Sequence, residues 1–385
     1  MSRKYSSNNH IKLVHSGADF FDLICKMIDS AKHSVHLHTY ILNNDETGRK
    51  VLACLRSAAK RGVAIFVLVD GYASQDLPDQ LQEELKGDGI NFRFFEPLFQ
   101  SKHLYFGRRL HHKVVVADGS YSLVGGLNMA DRYNDLPGKP AWFDLALYTE
   151  GNSAAELQEI CEQLWSKKGR LTSFQPVNPH LLDDQISREE IAVCVRRNDW
   201  VKRKQEITRT YSEIFRSARH SITIICSYFL PGAKFRLQLK KAAARGVKIR
   251  VVLASTSDVP VSKYAERYLY RWMLRYGFEI YEYQPTVLHA KMALADDAFL
   301  TIGSYNINNI SRYASIELNL DVKNKSFVSE VRQEIDEIIR QKCKPITTGT
   351  YKIRLFSLRQ FGQWCAFQLV RFMMTVSTFY FKQRE

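Results

Sequence analysis

The stretch RRLHHKVVVADGSYSLVGGLNMADRY, Arg108 to Tyr133, holds two adjacent histidines, a lysine, a short apolar run, an aspartate, and a glycine pair trailed by an asparagine. It is echoed by LHAKMALADDAFLTIGSYNINNIS at residues 288–311. Three more pairs match in the same order. IDSAKHSVHLHTYIL (28–42) pairs with FRSARHSITIICSYFL (215–230), and LRSAAKRGVAIFVLVDG (55–71) with LKKAAARGVKIRVVLAS (239–255). GINFRFFEP (89–97) pairs with GFEIYEYQP (277–285). Four ordered matches make a duplicated domain.

Each copy alternates helix and strand. Residues 20–32 carry helical periodicity, SVHLHTYIL reads as a strand, and RKVLACLRSAAKRG reads as a helix ended by Gly62. VAIFVLVD, NFRFFE and HHKVVVAD then follow as strands. Such alternation with short links predicts an α/β fold of two duplicated domains. Each is expected to be a mixed, mostly parallel sheet flanked by helices, the two related by a pseudo-twofold axis. The expected boundaries are a first domain over 14–176 (motif 111–118), a polar linker over 177–204, and a second domain over 205–345 (motif 289–296). Residues 351–385 belong to neither copy.

Composition narrows the class. A chain of 385 residues, 45% hydrophobic and 12% aromatic, is long and apolar enough to bury a sizeable core. The 55 basic against 40 acidic residues give +15, which favours a polyanionic partner, nucleic acid and anionic membrane alike. Seven cysteines lack any CxxC spacing and point to reduced, buried thiols over disulfides or zinc. The opening residues hold no apolar run of export-signal length, and no uninterrupted apolar run reaches the roughly 18 residues of a membrane span.

The two motifs carry the chemistry. Side chains alternate across a strand, so His111 and Lys113 are expected on one face and His112 on the other. His289 and Lys291 repeat that relation with Ala290 between them, so the repeat selects His111 over its neighbour. Both copies run on to an aspartate, Asp118 and Asp296, then to GGLN with Asn128 and GSYN with Asn306. A phosphodiester has a charged centre and a poor leaving group. Lys113 and Lys291 can neutralise its non-bridging oxygens, while Asn128 and Asn306 can donate hydrogen bonds to them. One neutral imidazole can attack phosphorus and a second, protonated one can protonate the departing alkoxide. Each copy supplies one histidine, so one motif is half a site. Asp118 and Asp296, at strand ends, are expected to cap turns as structural members of the motif.

This paired pattern resembles the phospholipase D superfamily, in members with two HKD motifs, and the resemblance covers nearly all of residues 14–345. Within it, YILNNDETG (40–48), RGVAIFVLVDG (61–71), WFDLALYTEG (142–151) and SYFLPG (227–232) look most like the bacterial cardiolipin synthases of the short type without N-terminal spans. The resemblance implies transfer of a phosphatidyl group through a phosphohistidine, without a metal or other cofactor. It assigns His111 as nucleophile and His289 as acid and base. It also implies one imidazole-orienting carboxylate per copy, by motif position Asp144 and Glu317. The expected reaction forms cardiolipin from two phosphatidylglycerol molecules with release of glycerol. Lipid hydrolysis, an endonuclease of the same fold and an inactive membrane scaffold are the alternatives.

Two features outside the motifs bear on partners. His36, His38 and Tyr40 share a strand face, where packing, pocket lining and a metal site compete. Arg196, Arg197, Lys202, Arg203 and Lys204 read as a solvated linker face. The last segment, 351–385, has six basic residues against Glu385 alone. As a helix it sets Arg359, Gln363, Arg371, Thr375, Thr378 and Lys382 in a narrow polar stripe, with apolar side chains over most of the rest. Arg371 interrupts any span, so the segment is expected to lie in the interface of an anionic membrane, each cation adding roughly 1 kcal/mol. Docking on the protein's own core is the competing reading. The expected setting is peripheral, on the cytoplasmic face of the inner membrane, with no nucleic-acid partner. Duplication makes a monomer sufficient for the chemistry and leaves a dimer open.

Overall fold

A computed structural model describes residues 4–97, 108–166, 181–182, 187, 189–349, 351 and 358–382. Linker residues 177–180, 183–186 and 188, and the side chains of Thr378, Phe379 and Lys382, lie outside the described residues. The chain divides into two compact units. One holds Met1–Arg196 with Ile302–Ser304 and Ile316–Val322, and the other holds the remainder. Both short additions to the first unit come from the second sequence copy, so repeats and packing units are not the same division.

In the first unit, strands β1 (Asn9–His15), β2 (Ser34–Thr39), β3 (Ala64–Asp70), β4 (Asn91–Phe95), β5 (Arg109–Leu110), β6 (Val114–Ala117), β7 (Tyr121–Gly125) and β8 (Leu145–Gly151) alternate with helices. These are α1 (Ala18–Ser30), α2 (Glu46–Lys60), α3 (Asp79–Gly87) and α4 (Asn152–Trp165). The sheet order is β1-β8-β7-β6-β2-β3-β4. Later elements are β9 (Ala192–Asp199), β10 (Lys204–Gln205), α5 (Glu206–Ser217), β11 (Ser221–Cys226), α6 (Ala233–Ala244), β12 (Lys248–Ala254), α7 (Pro260–Tyr268) and α8 (Tyr270–Arg275). After them come β13 (Glu279–Tyr283), β14 (Lys291–Ala295), β15 (Phe299–Gly303), α9 (Asn309–Tyr313), β16 (Ser315–Lys323), α10 (Lys325–Lys342), β17 (Cys343–Ile346) and α11 (Leu358–Lys382). The order β15-β14-β11-β12-β13 repeats β7-β6-β2-β3-β4.

The expected mixed sheet is present, with parallel ladders at β2-β3-β4 and its repeat β11-β12-β13. The motif strands β6 and β7 form a tight hairpin, which only antiparallel neighbours allow. β6 also runs antiparallel to β2, and β8 to β7, so antiparallel pairs outnumber parallel ones in the first sheet.

Local chemistry repeats with the sequence. Asp45 caps α2 by accepting from Gly48 N at 2.9 Å. Gly62 and Gly246 end α2 and α6 at φ 86° and 87°, a region costly for any other residue. Arg61 then donates to Ile28 O at 2.9 Å, and Arg245 to Phe215 O at 3.0 Å, tying each helix end to the preceding helix. Phe21, Ile24 and Met27 pack with Val35, Leu37 and Val67 in one core. Tyr211 and Phe215 pack with Ile222, Ile224 and Val251 in the other. Each fully buried apolar side chain contributes about 1.5–3 kcal/mol.

The charged run at 196–204 is solvated at Lys202 and Arg203 as expected, but not at Arg196 and Arg197. Ala192–Asp199 is a strand with Val193, Cys194 and Val195 buried, and Arg196 reaches Asp321 at 2.7 Å. An apolar AVCV start outweighs the charges that follow. All seven cysteines are free, and Cys161, Cys194 and Cys226 are buried.

Candidate active site

The motif aspartates close the hairpins. Asp118 follows β6 at φ 52° and Asp296 follows β14 at φ 48°. Asp118 accepts from His33 N and Ser34 N at 2.8 Å through Oδ1, and from Lys32 N at 2.8 Å through Oδ2. Asp296 accepts in the same way from His220 N at 2.8 Å, Ser221 N at 3.1 Å and Arg219 N at 3.2 Å. Burial pushes the Asp296 carboxyl up, but these backbone donors outweigh it and hold the group below its ordinary value. Each aspartate thus locks the far end of a motif strand to the start of its antiparallel neighbour, β2 or β11. Asp118→Ala removes the acceptor of three backbone N–H groups, that of buried Ser34 among them. It is expected to destabilise the fold by about 1–3 kcal/mol, read as a fall in the urea midpoint.

The near end of the first motif is held from two sides. Leu110 N donates to Asp70 Oδ2 at 2.7 Å, and His111 N donates to Ile316 O at 3.0 Å. Asp70 ends β3, fully buried, and its other oxygen accepts from Tyr72 N and Ala73 N at 3.0 Å each. Burial raises its carboxyl against the pull of Arg109, whose Nη1 lies 3.6 Å away. Sequence reasoning did not single out Asp70. The available signal was an aspartate at the carboxyl end of an apolar parallel strand, where α/β sites gather.

His111 and Lys113 lie between β5 and β6 in irregular chain, not within a strand as expected. The reason is the pinning just described, which bends the main chain before β6 starts. The His111 ring puts Nδ1 2.8 Å from Glu317 Oε2. That carboxylate also accepts from Ser304 Oγ at 2.5 Å. Burial alone would raise Glu317, yet the charges of His111 and Lys113 and the Ser304 hydroxyl hold it below the usual carboxylate range. A carboxylate there keeps the imidazole proton on Nδ1 and leaves the Nε2 lone pair for chemistry. Lys113 Nζ donates to His111 O at 3.0 Å and sits 5.0 Å over the Tyr40 ring, which meets His111 edge-on at 5.1 Å. Burial, helped by the charge of Asp70, pushes the Tyr40 phenol up to about 12, so it remains a neutral donor.

The position after each motif histidine is buried in both copies, as His112 and as Ala290. His36 and His38 are core side chains too. His36 stacks on Phe66 at 4.8 Å, and burial lowers it to about 4. His38 stacks on His112 at 6.3 Å, and Tyr40 meets His111 itself.

In the second motif His289 is 7% exposed, and Lys291 Nζ lies 3.0 Å from its Nδ1. Asn306 Oδ1 accepts from Ser227 Oγ at 2.8 Å. Asn128 Oδ1 accepts from Ile41 N at 3.1 Å, and its Nδ2 donates one hydrogen to Tyr133 at 2.9 Å. Both asparagines are therefore fixed through their oxygens with amide hydrogens remaining. Asp144 is fully buried at the start of β8, with Oδ1 accepting from Leu145 N at 2.8 Å. A Cβ on Gly126 would stand 2.4 Å from that oxygen, so the glycine lets the carboxylate approach. Gly126→Ala is expected to displace Asp144 and cut turnover about tenfold or more, checked by steady-state rates against an unchanged fold by circular dichroism.

Within the first unit a tautomer-fixed imidazole, a buried ammonium group and an oriented amide make a set suited to phosphoryl chemistry, and the second unit holds its own histidine, ammonium group and amide. The family model described as cardiolipin synthase, phospholipase D-like domain matches residues 24–165 and 211–339. Cardiolipin synthase B of Escherichia coli (strain K12) is 31% identical over 350 residues, 90% of this chain and 84% of that protein. Cardiolipin synthase 1 of Bacillus anthracis is 32% identical over 331 residues, 84% of this chain and 64% of that one. The crystal structure of phosphatidylserine synthase from Haemophilus influenzae Rd KW20 superposes with a TM-score of 0.75 at 14% identity, over 98% of this chain and 97% of that one, a likeness of fold. With both copies matched by one domain model and most of the chain aligned to these relatives, the chain belongs to the cardiolipin synthase family of phospholipase D-like proteins.

Proposed function

We propose that this protein is a phosphatidyltransferase that joins two phosphatidylglycerol molecules into cardiolipin and releases glycerol. The observation that carries the residue assignment is the His111–Glu317 pair at 2.8 Å. In the first step His111 Nε2 attacks the phosphorus of one lipid. The bond from phosphorus to the headgroup oxygen breaks, and His289, as imidazolium, gives that oxygen its proton, releasing glycerol. The phosphatidyl group is then held on His111. In the second step neutral His289 takes the proton from a headgroup hydroxyl of the second lipid. Its oxygen attacks phosphorus, the phosphorus–nitrogen bond breaks, and cardiolipin leaves. Lys113 and Lys291 offset the charge on the non-bridging oxygens, which Asn128 and Asn306 orient. Asp144 and Glu317 are the orienting carboxylates. Nucleophile and acid are both side chains, so the scheme calls on no metal or cofactor.

The substrate sits in a bilayer, so the reading calls for an anionic membrane surface, and we propose a peripheral setting on the cytoplasmic face of the inner membrane. Among the described residues no helix is long and apolar enough to cross a membrane. The test is turnover of phosphatidylglycerol vesicles followed by mass spectrometry. Cardiolipin and free glycerol are expected in equal amounts. Phosphatidic acid in their place would mean hydrolysis, and cleavage of labelled single-stranded DNA with no lipid change would mean a nuclease.

A further inference from the structure

Helix α11 has two apolar faces and only one is covered. Gln363, Phe367, Val370 and Met374 turn toward the second unit, where α11 packs on α7 and α9. Phe367 meets the Tyr268 ring at 4.9 Å, and Gln363 accepts from the Tyr351 hydroxyl at 2.8 Å. On the opposite side Leu358, Phe361, Leu369, Phe372 and Val376 recur at helical spacing and are all more than half exposed. A helix with two opposite apolar faces needs both covered, and water covers neither.

Helix α7 is turned inside out. Its buried residues are Ser262, Lys263, Ala265 and Glu266, with Lys263 Nζ 2.6 Å from Glu266 and 2.7 Å from the Tyr270 hydroxyl. Its exposed stripe is Val261, Tyr264 and Tyr268. Of fifteen exposed large apolar side chains among the described residues, seven lie on α11, four on α7 or its cap Val259, and one, Ile310, on α9. Such concentration on α11 and the two helices it packs against is more than a monomer in water sustains. Arg359 and Arg371 are exposed on α11, and residues 351–385 carry six basic residues against one acidic.

We propose that α7, α9 and the outer face of α11 together form one docking surface for an anionic phospholipid bilayer, with α11 lying in the interface plane. The identity of the apolar phase rests on the lipid-transfer reading above. The tyrosines of α7 suit headgroup depth, and the α11 arginines suit an anionic headgroup layer. The surface is tied to the second motif, because Asn306 N donates to Ser311 Oγ within α9 at 3.3 Å. Docking would therefore present the second motif to lipid headgroups.

The sequence offers the tail as the membrane segment. The structure adds α7 as an equal contributor, and that is what the experiment decides. The full chain is co-sedimented with vesicles of phosphatidylglycerol mixed with phosphatidylcholine, and with phosphatidylcholine alone. The double variants are Phe361→Ser with Phe372→Ser on α11, and Val261→Ser with Tyr264→Ser on α7, each checked for an unchanged melting curve. Each pair is expected to weaken partition into the mixed vesicles by about tenfold or more. Phosphatidylcholine alone is expected to bind the wild type at least about tenfold more weakly. An α7 pair that binds like wild type overturns the composite surface. So does equal binding to both vesicles, or a dimer in light scattering that either pair dissolves. Turnover of short-chain phosphatidylglycerol in detergent is measured alongside. Its absence in the wild type would sink the transfer reading, while sedimentation still decides the docking surface.

Discussion

His111→Ala is expected to lose phosphatidyl transfer by about 10⁴-fold or more, because no neighbouring group can replace a covalent nucleophile. His289→Ala is expected to lose about 10²–10⁴-fold, the range for a proton carrier, and the two losses differ in kind. A lipid analogue with a p-nitrophenolate leaving group departs without protonation. It should restore the first step in His289→Ala and leave His111→Ala inactive. With phosphorus-labelled analogue, His289→Ala should accumulate acid-labile label on protein, since it forms the phosphohistidine but lacks the base that activates the second alcohol. His111→Ala should carry none. Label on His111→Ala with none on His289→Ala would reverse the assignment.

That assignment was legible in part from the sequence. The duplication selects His111 over His112, because the second copy tolerates Ala290 there, and burial of both positions is the physical reason. Which imidazole each carboxylate serves was not legible. Glu317 belongs to the second copy and lies 206 positions from His111, yet it faces that ring, an outcome of tertiary packing with no local signature. Asp70 was hidden for a similar reason, since only pairing of β2 with β3 and β6 brings strand ends to the motif. The tail posed a choice between docking and membrane. Periodicity cannot show that one side of α11 is already taken, and the structure shows the docking, with Phe367, Val370 and Met374 packed on the second unit. The sheet was read as mostly parallel from its helix–strand alternation, a signal that is silent on the β6–β7 hairpin.

Glu317→Gln should reduce kcat by about 10²–10⁴-fold with little change in KM, through the tautomer of His111. Ser304 donates to the side chain at position 317, so a glutamine would set its carbonyl oxygen toward Ser304 and its amide toward His111. The amide donates where the carboxylate accepted. Nδ1 then becomes the acceptor, the proton moves to Nε2, and the lone pair that attacks phosphorus is gone. Glu317→Asp keeps the charge but falls short by one methylene, so its loss should be smaller. Ser304→Ala removes the lever that orients the amide, and in the Glu317→Gln background it should recover part of the activity. Stability offers a second readout with a definite sign. Glu317 is held below its ordinary value of 4.5, so its ionised form stabilises the native state above that pH. As pH falls below 4.5 through the depressed value, that contribution is lost. The melting-temperature gap between wild type and Glu317→Gln should thus be full at pH 7 and close only in acid beneath the usual carboxylate range. A gap that widens as pH falls would mean the carboxylate is protonated in the native state, and the tautomer argument would fail with it.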